Sequence, residues 1–297
     1  MQASRGWTIA RDVAAVLVVF VFVFPIFWWV LASIKPYSAI FVTDPVFIDF
    51  TPTLDNYRVT LGGLSRADLA IQQGGGIGGV AGGGSSYYSI PAIKDSIIVA
   101  VGSTLLALVL ASFTAYALSR MSFRGAQSYI GWILSQRMMP VIAVAIPLFF
   151  MFRDLGLRDT HIGLIIAHTL INLPLAVLLM KSFFDDVPKD VDEAAMIDGA
   201  TRFQTFWKVV LPMVKGGLAA TAVLCFIFSW TEFLLSLQLT TSIRTIPVKI
   251  STFVTSTGTE WGFITALGTA AIIPSFIFIL LVQQHLVRGL TLGSLKD

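Results

Sequence analysis

Two charged side chains interrupt long apolar runs: Arg137 within Ser128–Phe152 and Glu232 within Gly216–Leu239. On insertion scales a charge at mid-bilayer depth costs about 2.5–3.5 kcal/mol, so each must face protein interior or a water-filled cavity. At 1.5 Å rise per residue the two lie at depths that differ by roughly 10 Å, which argues against a direct ion pair. His168 reads as a packed, hydrogen-bonded histidine, and Met138–Met139 as packing or gate residues.

A second patterned stretch is 181–215. Pro188 can open a helix at its first turn. Asp190, Asp192 and Glu193 follow, and acids near a helix N-terminus suit the dipole. Ala194-Ala195-Met196-Ile197 gives a short helix with a small, flat face, and Asp198-Gly199 ends it through the left-handed stop that glycine adopts readily. A further helix runs from about Thr201, with Phe203, Phe206, Trp207, Val210 and Leu211 as one apolar stripe up to Pro212. Small residues admit close backbone approach, and the acids can meet basic groups on a partner. The element therefore suits docking, or lies as an amphipathic helix on a lipid surface.

Other chemistries are excluded by what is missing. No G-x-x-x-x-G-K-[ST] stretch occurs, so the chain has no P-loop for ATP. One cysteine, Cys225, excludes an intrachain disulfide and cysteine-rich zinc sites; three widely spaced histidines do not replace them. Neither HExxH nor a Ser–His pair is placed in the apolar runs, which argues against an intramembrane enzyme. A net charge of +3 is weak support for nucleic-acid binding.

The elements that must position these residues are membrane helices. Of the 297 residues 56% are hydrophobic and only 12% charged, too few charges for a soluble surface of this size. Mean hydropathy is +0.81. Six runs are long enough to cross about 30 Å of hydrocarbon: 13–34, 97–118, 128–152, 162–180, 216–239 and 263–282. Their continuity argues against a β-barrel. The first run is too long for a cleavable signal core and ends in Trp28-Trp29, so it reads as a retained span. The expectation is an all-α integral membrane protein, a single transmembrane domain over 1–297.

With the N-terminus inside, eleven Lys and Arg fall in the 67 residues of 1–11, 119–127, 181–215 and 286–297. The 94 outer residues of 35–96, 153–161 and 240–262 hold eight. The bias favours cytoplasmic termini. It also makes 181–215 a cytoplasmic loop, 286–297 a cytoplasmic tail and 35–96 an outer loop. That outer loop holds ten glycines between 62 and 84 and reads as a flexible segment.

The spacing Glu193-Ala194-Ala195, three residues, Gly199, nine residues, Val209, one residue, Leu211-Pro212 resembles the EAA loop of ABC importer transmembrane subunits. Val209 stands where that pattern has isoleucine. The similarity extends to the carbohydrate branch, to the second permease subunit of maltose-type systems. It is carried by Ser33-Ile34-Lys35-Pro36, Thr53-Leu54-Asp55-Asn56-Tyr57, Ala115 to Arg120, Arg137-Met138-Met139-Pro140, Ile146-Pro147-Leu148 and Ser229-Trp230-Thr231-Glu232-Phe233. The tail, Arg288-Gly289-Leu290-Thr291 with Gly293 and Lys296, is similar too. Residues 62–90 resemble nothing in the family and read as an insertion.

The resemblance implies a type I importer permease bundle and no catalysis by this chain. It implies a heterodimer with a second, homologous permease, two ATPase subunits that hold ATP and magnesium, and an extracytoplasmic solute-binding protein. Glu193, Ala194, Ala195, Met196, Asp198, Gly199, Leu211 and Pro212 would couple the ATPases to the spans. Gly289, Leu290, Thr291, Gly293 and Lys296 would reach the ATPase interface. Planar hydrogen-bonding groups and aromatic rings bind sugars, so Asn172, Trp230, Glu232 and Arg137 are the candidate substrate path. Hydrogen bonding between helices is the competing role for the same side chains. The alternative to an ATP-driven importer is a transporter driven by an ion gradient, which needs intramembrane acids to carry the ion.

Overall fold

A computed structural model describes residues 5–40, 42, 44, 46–65, 67–68, 87–256 and 258–293. Most of the glycine-rich stretch and Lys296 lie outside the described residues. The elements in chain order are α1 (Arg5–Ser33), α2 (Tyr37–Ile40), α3 (Asp55–Thr60), α4 (Ile90–Arg120), α5 (Ala126–Arg137), α6 (Val141–Asp154), α7 (His161–Asp185) and α8 (Lys189–Ile197). Then come α9 (Arg202–Gln204), a π-helical segment (Thr205–Val210), α10 (Leu211–Met213), α11 (Lys215–Trp230), α12 (Leu234–Leu239), α13 (Ile246–Ser251) and α14 (Trp261–Gly293). A two-residue hairpin, β1 (Val254–Thr255) with β2 (Gly258–Thr259), is the antiparallel pairing among the described residues.

Four helices are long and apolar enough to cross a membrane, or up to six if each of two bent pairs counts as one span. The third expected span is therefore not continuous: α5 and α6 meet at 93°. Pro140 is the cause. It lacks an N–H, disfavours helical backbone at Met139, and adopts φ −60°, ψ 126° itself. The fifth expected span, 216–239, also changes: α11 stops at Trp230 and α12 begins separately at Leu234. At its other end Arg202–Met213 bends by 78° against α11. The second span starts at Ile90, inside the expected outer loop, and the fourth runs on to Asp185.

The chain packs as two compact units. In the first, Met1–Ile90 with Lys249–Ile272, α3 pins the end of α1. Asn56 Nδ2 donates to the carbonyls of Ser33 (2.9 Å) and Lys35 (3.0 Å), and Ser33 Oγ shares a 2.7 Å hydrogen bond with the Tyr57 hydroxyl. Two of the sequence stretches singled out above, 33–36 and 53–57, are thus one joint. Lys35 is buried, donates to the Val46 carbonyl and lies 4.3 Å from the centre of the Trp28 ring. Burial lowers its pKa from the ordinary lysine value.

The second unit, Pro91–Val248 with Ile273–Asp297, carries both candidate sites. One core is built on Ala107, Ala111 and Ala115, all fully buried at four-residue spacing, against Ala176, Met180, Phe184, Phe206, Val210 and Cys225. Small side chains on one helix face let backbones approach, the packing that spans use where lipid removes the hydrophobic drive. A second core joins Val99, Ala145, Leu148, Phe152, Leu164, Ala167, Leu235 and Leu239. Between α6 and α7, Asp159 sits at φ 58°. Its carboxylate accepts from the backbone N–H groups of Thr241, Ser242 and Ile243 and from the Thr241 and Ser242 hydroxyls.

Candidate functional site

The 186–213 segment forms a knuckle with one bound face and one bare face. Pro188 caps α8 at extended backbone angles and Asp190 and Asp192 occupy its first turn. Gly199 takes φ +87°, and the close is a Schellman motif: Ala200 N–H donates to Ala195 C=O (3.0 Å) and Gly199 N–H to Met196 C=O (3.1 Å). The left-handed stop read at Gly199 is thus where the helix ends. Thr201 and Gln204 then form a reciprocal capping box that starts the next helix.

Glu193, Ala194, Met196, Asp198 and Gly199 are exposed, and Ala195 is half-buried. Ile197 is 86% exposed, which makes the tip apolar. Leu211 packs against the core from α10, beside exposed Pro212. Asp192 departs from the expectation that all three acids face a partner. It is buried, with its carboxylate held by Arg120 Nε (2.9 Å) and the Tyr116 hydroxyl (2.6 Å). Successive helix residues point about 100° apart, so Asp192 and Glu193 cannot share a face. That spacing was the signal available in the sequence, but it does not say which of the two turns inward.

The expected apolar stripe is also divided. Phe206 and Val210 are buried, whereas Phe203 and Trp207 are 64% and 57% exposed. The π-helical turns at Thr205–Val210 break the 3.6-residue period on which the stripe rested. Phe206 packs on Tyr116 at 5.0 Å and on Phe113 at 5.0 Å between ring centres.

The second candidate site is a cavity of about 870 Å³. Arg137, Asn172 and Glu232 line it, with His168, Ser229, Phe228, Gln136, Tyr129 and Trp132. Trp230 does not belong to its wall: it is buried and stacks on Phe226 at 5.4 Å. Arg137 forms no ion pair with Glu232 among the described residues. Its guanidinium lies 4.9 Å from the Phe228 ring centre, with a long 3.4 Å contact to the Ile171 carbonyl. Tyr129 and Trp132 stack at 5.6 Å with 29° between their planes, an aromatic platform in the same wall that the sequence reading did not single out.

Glu232 is held otherwise. Oε1 accepts from Leu235 N–H (2.7 Å), and Oε2 accepts from the N–H and hydroxyl of Ser236 (3.0 Å each). His168, buried as expected, places Nε2 3.2 Å from Glu232 Oε2 and Nδ1 3.1 Å from Ser229 Oγ. Ser229 is hydrogen-bonded to Ser103 on α4. Asn172 Nδ2 reaches the Cys225 carbonyl at 3.3 Å, and its Oδ1 has no partner among the described residues. Bundle-holding hydrogen bonds therefore dominate at Glu232 and His168, while Arg137, Gln136 and the aromatic platform are left to the cavity. Of the tail residues, Gly289, Leu290, Thr291 and Gly293 lie on the continuous helix α14.

Comparison with known proteins gives one answer. The model of the binding-protein-dependent transport system inner membrane component family matches residues 107–292. The trehalose transport system permease protein SugB of Mycobacterium tuberculosis is 37% identical over 276 residues, 92% of each chain. The trehalose/maltose transport system permease protein MalG of Thermococcus litoralis is 34% identical, covering 96% of this chain and 95% of that one. Among solved structures, a chain of a bacterial ABC transporter that imports the acidic polysaccharide alginate aligns with TM-score 0.68 at 24% identity. That alignment covers 96% of this chain and 99% of the other.

Proposed function

The chain belongs to the family of binding-protein-dependent transport system inner membrane components, and from that membership we propose that it is the permease subunit of an ATP-driven importer of a sugar or sugar-like solute. It pairs with a second, homologous permease. Two ATPase subunits dock beneath it, and a solute-binding protein delivers the solute to its outer face. ATP and magnesium belong to the ATPases, because this chain has no phosphate-binding lysine loop. Both termini are cytoplasmic in this reading, which puts the α8 knuckle on the ATPase side.

The observation that carries the coupling role is the bare face of α8. Glu193, Ala194 and Met196 are exposed on a helix whose other face is fixed to the second unit. An ATPase groove with basic residues would accept Glu193, and the small alanines let its backbone come close. The C-terminal end of α14, through Gly293 to Lys296, reaches toward the same ATPases. In the cavity, Arg137 and Asn172 supply hydrogen bonds to a solute, with Tyr129 and Trp132 as a stacking surface. Glu232 shapes the wall.

The test is purification through a tag on this chain, followed by uptake of labelled trehalose and maltose into proteoliposomes. An ATPase should co-purify, and uptake should require ATP and the binding protein. Glu193→Lys should deplete the co-purifying ATPase. A chain that purifies without an ATPase and drives uptake from an ion gradient would overturn the proposal.

A further inference from the structure

The buried ion pair behind the knuckle has a geometry that a simple packing contact does not need. Arg120 is the last residue of α4 and Asp192 lies in the first turn of α8; both side chains are 7% exposed. Arg120 Nε donates to Asp192 Oδ2 at 2.9 Å, and Nη2 donates to the Val187 carbonyl at 2.9 Å. Val187 immediately precedes Pro188, the residue that caps α8. One guanidinium thus grips both the helix and the chain entering it. Tyr116, one turn back on α4, donates to the other oxygen of Asp192 at 2.6 Å.

Two donors a turn apart on one helix fix both carboxylate oxygens on the next. Such a fork resists rotation as well as separation, since turning α8 about its axis would break at least one bond. The charges also sit at favourable helix ends, the cation at the C-terminus of α4 and the anion at the N-terminus of α8. Leaving either charge buried and unpaired is costly, so the contact is retained or lost as a unit.

We propose that Asp192 is a positioning residue that makes α8 and α4 one rigid lever, so that a push on the exposed face of α8 moves the second membrane span. This rests on the proposed docking of an ATPase at α8. It assigns transmission to a residue outside the docking face. Glu193 meets the ATPase, while Asp192 carries the motion inward through Arg120 and Tyr116.

The experiment reads the cavity without needing the natural solute. In the purified complex, with Cys225→Ala as background, Leu170→Cys in the cavity wall reports access to a membrane-impermeant maleimide. ATP with magnesium and vanadate should change its labelling rate in the otherwise unaltered complex. Asp192→Asn should leave the ATPase co-purifying and vanadate-trapped nucleotide in place. The nucleotide-dependent change in labelling should shrink roughly fivefold or more, the lower end of ordinary site-to-site coupling. Tyr116→Phe, which keeps the ion pair, should shrink it less, and it carries the test if the asparagine variant does not assemble. A full labelling response in an assembled variant would overturn the lever. Absence of any ATPase on the unaltered chain would overturn the proposed function, and the lever with it.

Discussion

Glu232 and His168 meet at 3.2 Å across the gap between α12 and α7, and the same carboxylate caps the first turn of α12. An acid that membrane energetics would penalise is thereby satisfied from both sides. It is also the reason the chain can stop one helix at Trp230 and start another at Leu234 within three residues. Glu232→Ala should remove the cap and leave His168 Nε2 with Ser236 alone. The expected cost is about 2–3 kcal/mol, combining a lost cap with a weakened buried polar contact. Glu232→Gln, which keeps an acceptor, should cost less. Thermal unfolding of the detergent-purified protein measures both; equal midpoints for the two variants would contradict the capping role.

Gly199 sits at φ +87°, and a Cβ there would meet nothing within 4 Å. The cost of substitution is therefore backbone strain rather than collision. Gly199→Val should destabilise the close of α8 by about 1–2 kcal/mol, and Gly199→Asn by less, since asparagine tolerates the left-handed region. In the complex, valine should lower uptake per ATP hydrolysed and asparagine should largely preserve it. Equal loss from both would show that a side chain at 199, whatever its backbone preference, obstructs the partner.

Asp159 gives a pH signature. Burial alone would raise its carboxyl, but the N–H of Thr241, the hydroxyl and N–H of Ser242 and the N–H of Ile243 outweigh it and hold the pKa well below the usual carboxylate range. A depressed folded pKa contributes stability that is complete above the unfolded value, about 3.9, and is lost as pH falls below it. Unfolding midpoints should therefore drop below about pH 4 in the unaltered protein. Asp159→Asn should be weaker at neutral pH by about 1–2 kcal/mol, with the charged hydrogen bonds discounted for partial exposure. Its midpoint should be flatter in the acid range; parallel curves for the two proteins would remove Asp159 from the account.

Gly217, in the first turn of α11, is buried with the Phe183 ring against it, and a Cβ would run into that ring. Gly217→Ala should force Phe183 off its packing and cost about 1–3 kcal/mol. A paired Phe183→Leu should recover part of it. Stability measured on the single and double variants checks this, and strict additivity would mean the two residues do not compete for the same space.

The six apolar runs, the glycine stop of α8 and the polar setting of His168 were legible because each depends on local residues. The bend at Pro140 was legible in principle, yet an unbroken apolar run from Ser128 to Phe152 masked it. Tertiary partners were not legible. Nothing local distinguishes the inward Asp192 from the outward Glu193, or says that Trp230 stacks on Phe226 while Trp132 faces the cavity. The stripe from Phe203 to Leu211 failed for a different reason: it assumed one helical period through a segment that changes period midway.

That change of period has an evolutionary side. A stretch bonded i to i+5 accommodates one more residue than an α-helix spanning the same turns, as if an insertion had been absorbed without interrupting the rod. Excising a single residue between Thr205 and Val210 would turn everything downstream, Pro212 included, by about 100° about the axis. Lineages of this permease could therefore re-aim the knuckle toward differently shaped engines by gaining or shedding one amino acid here, leaving the docking side chains themselves untouched.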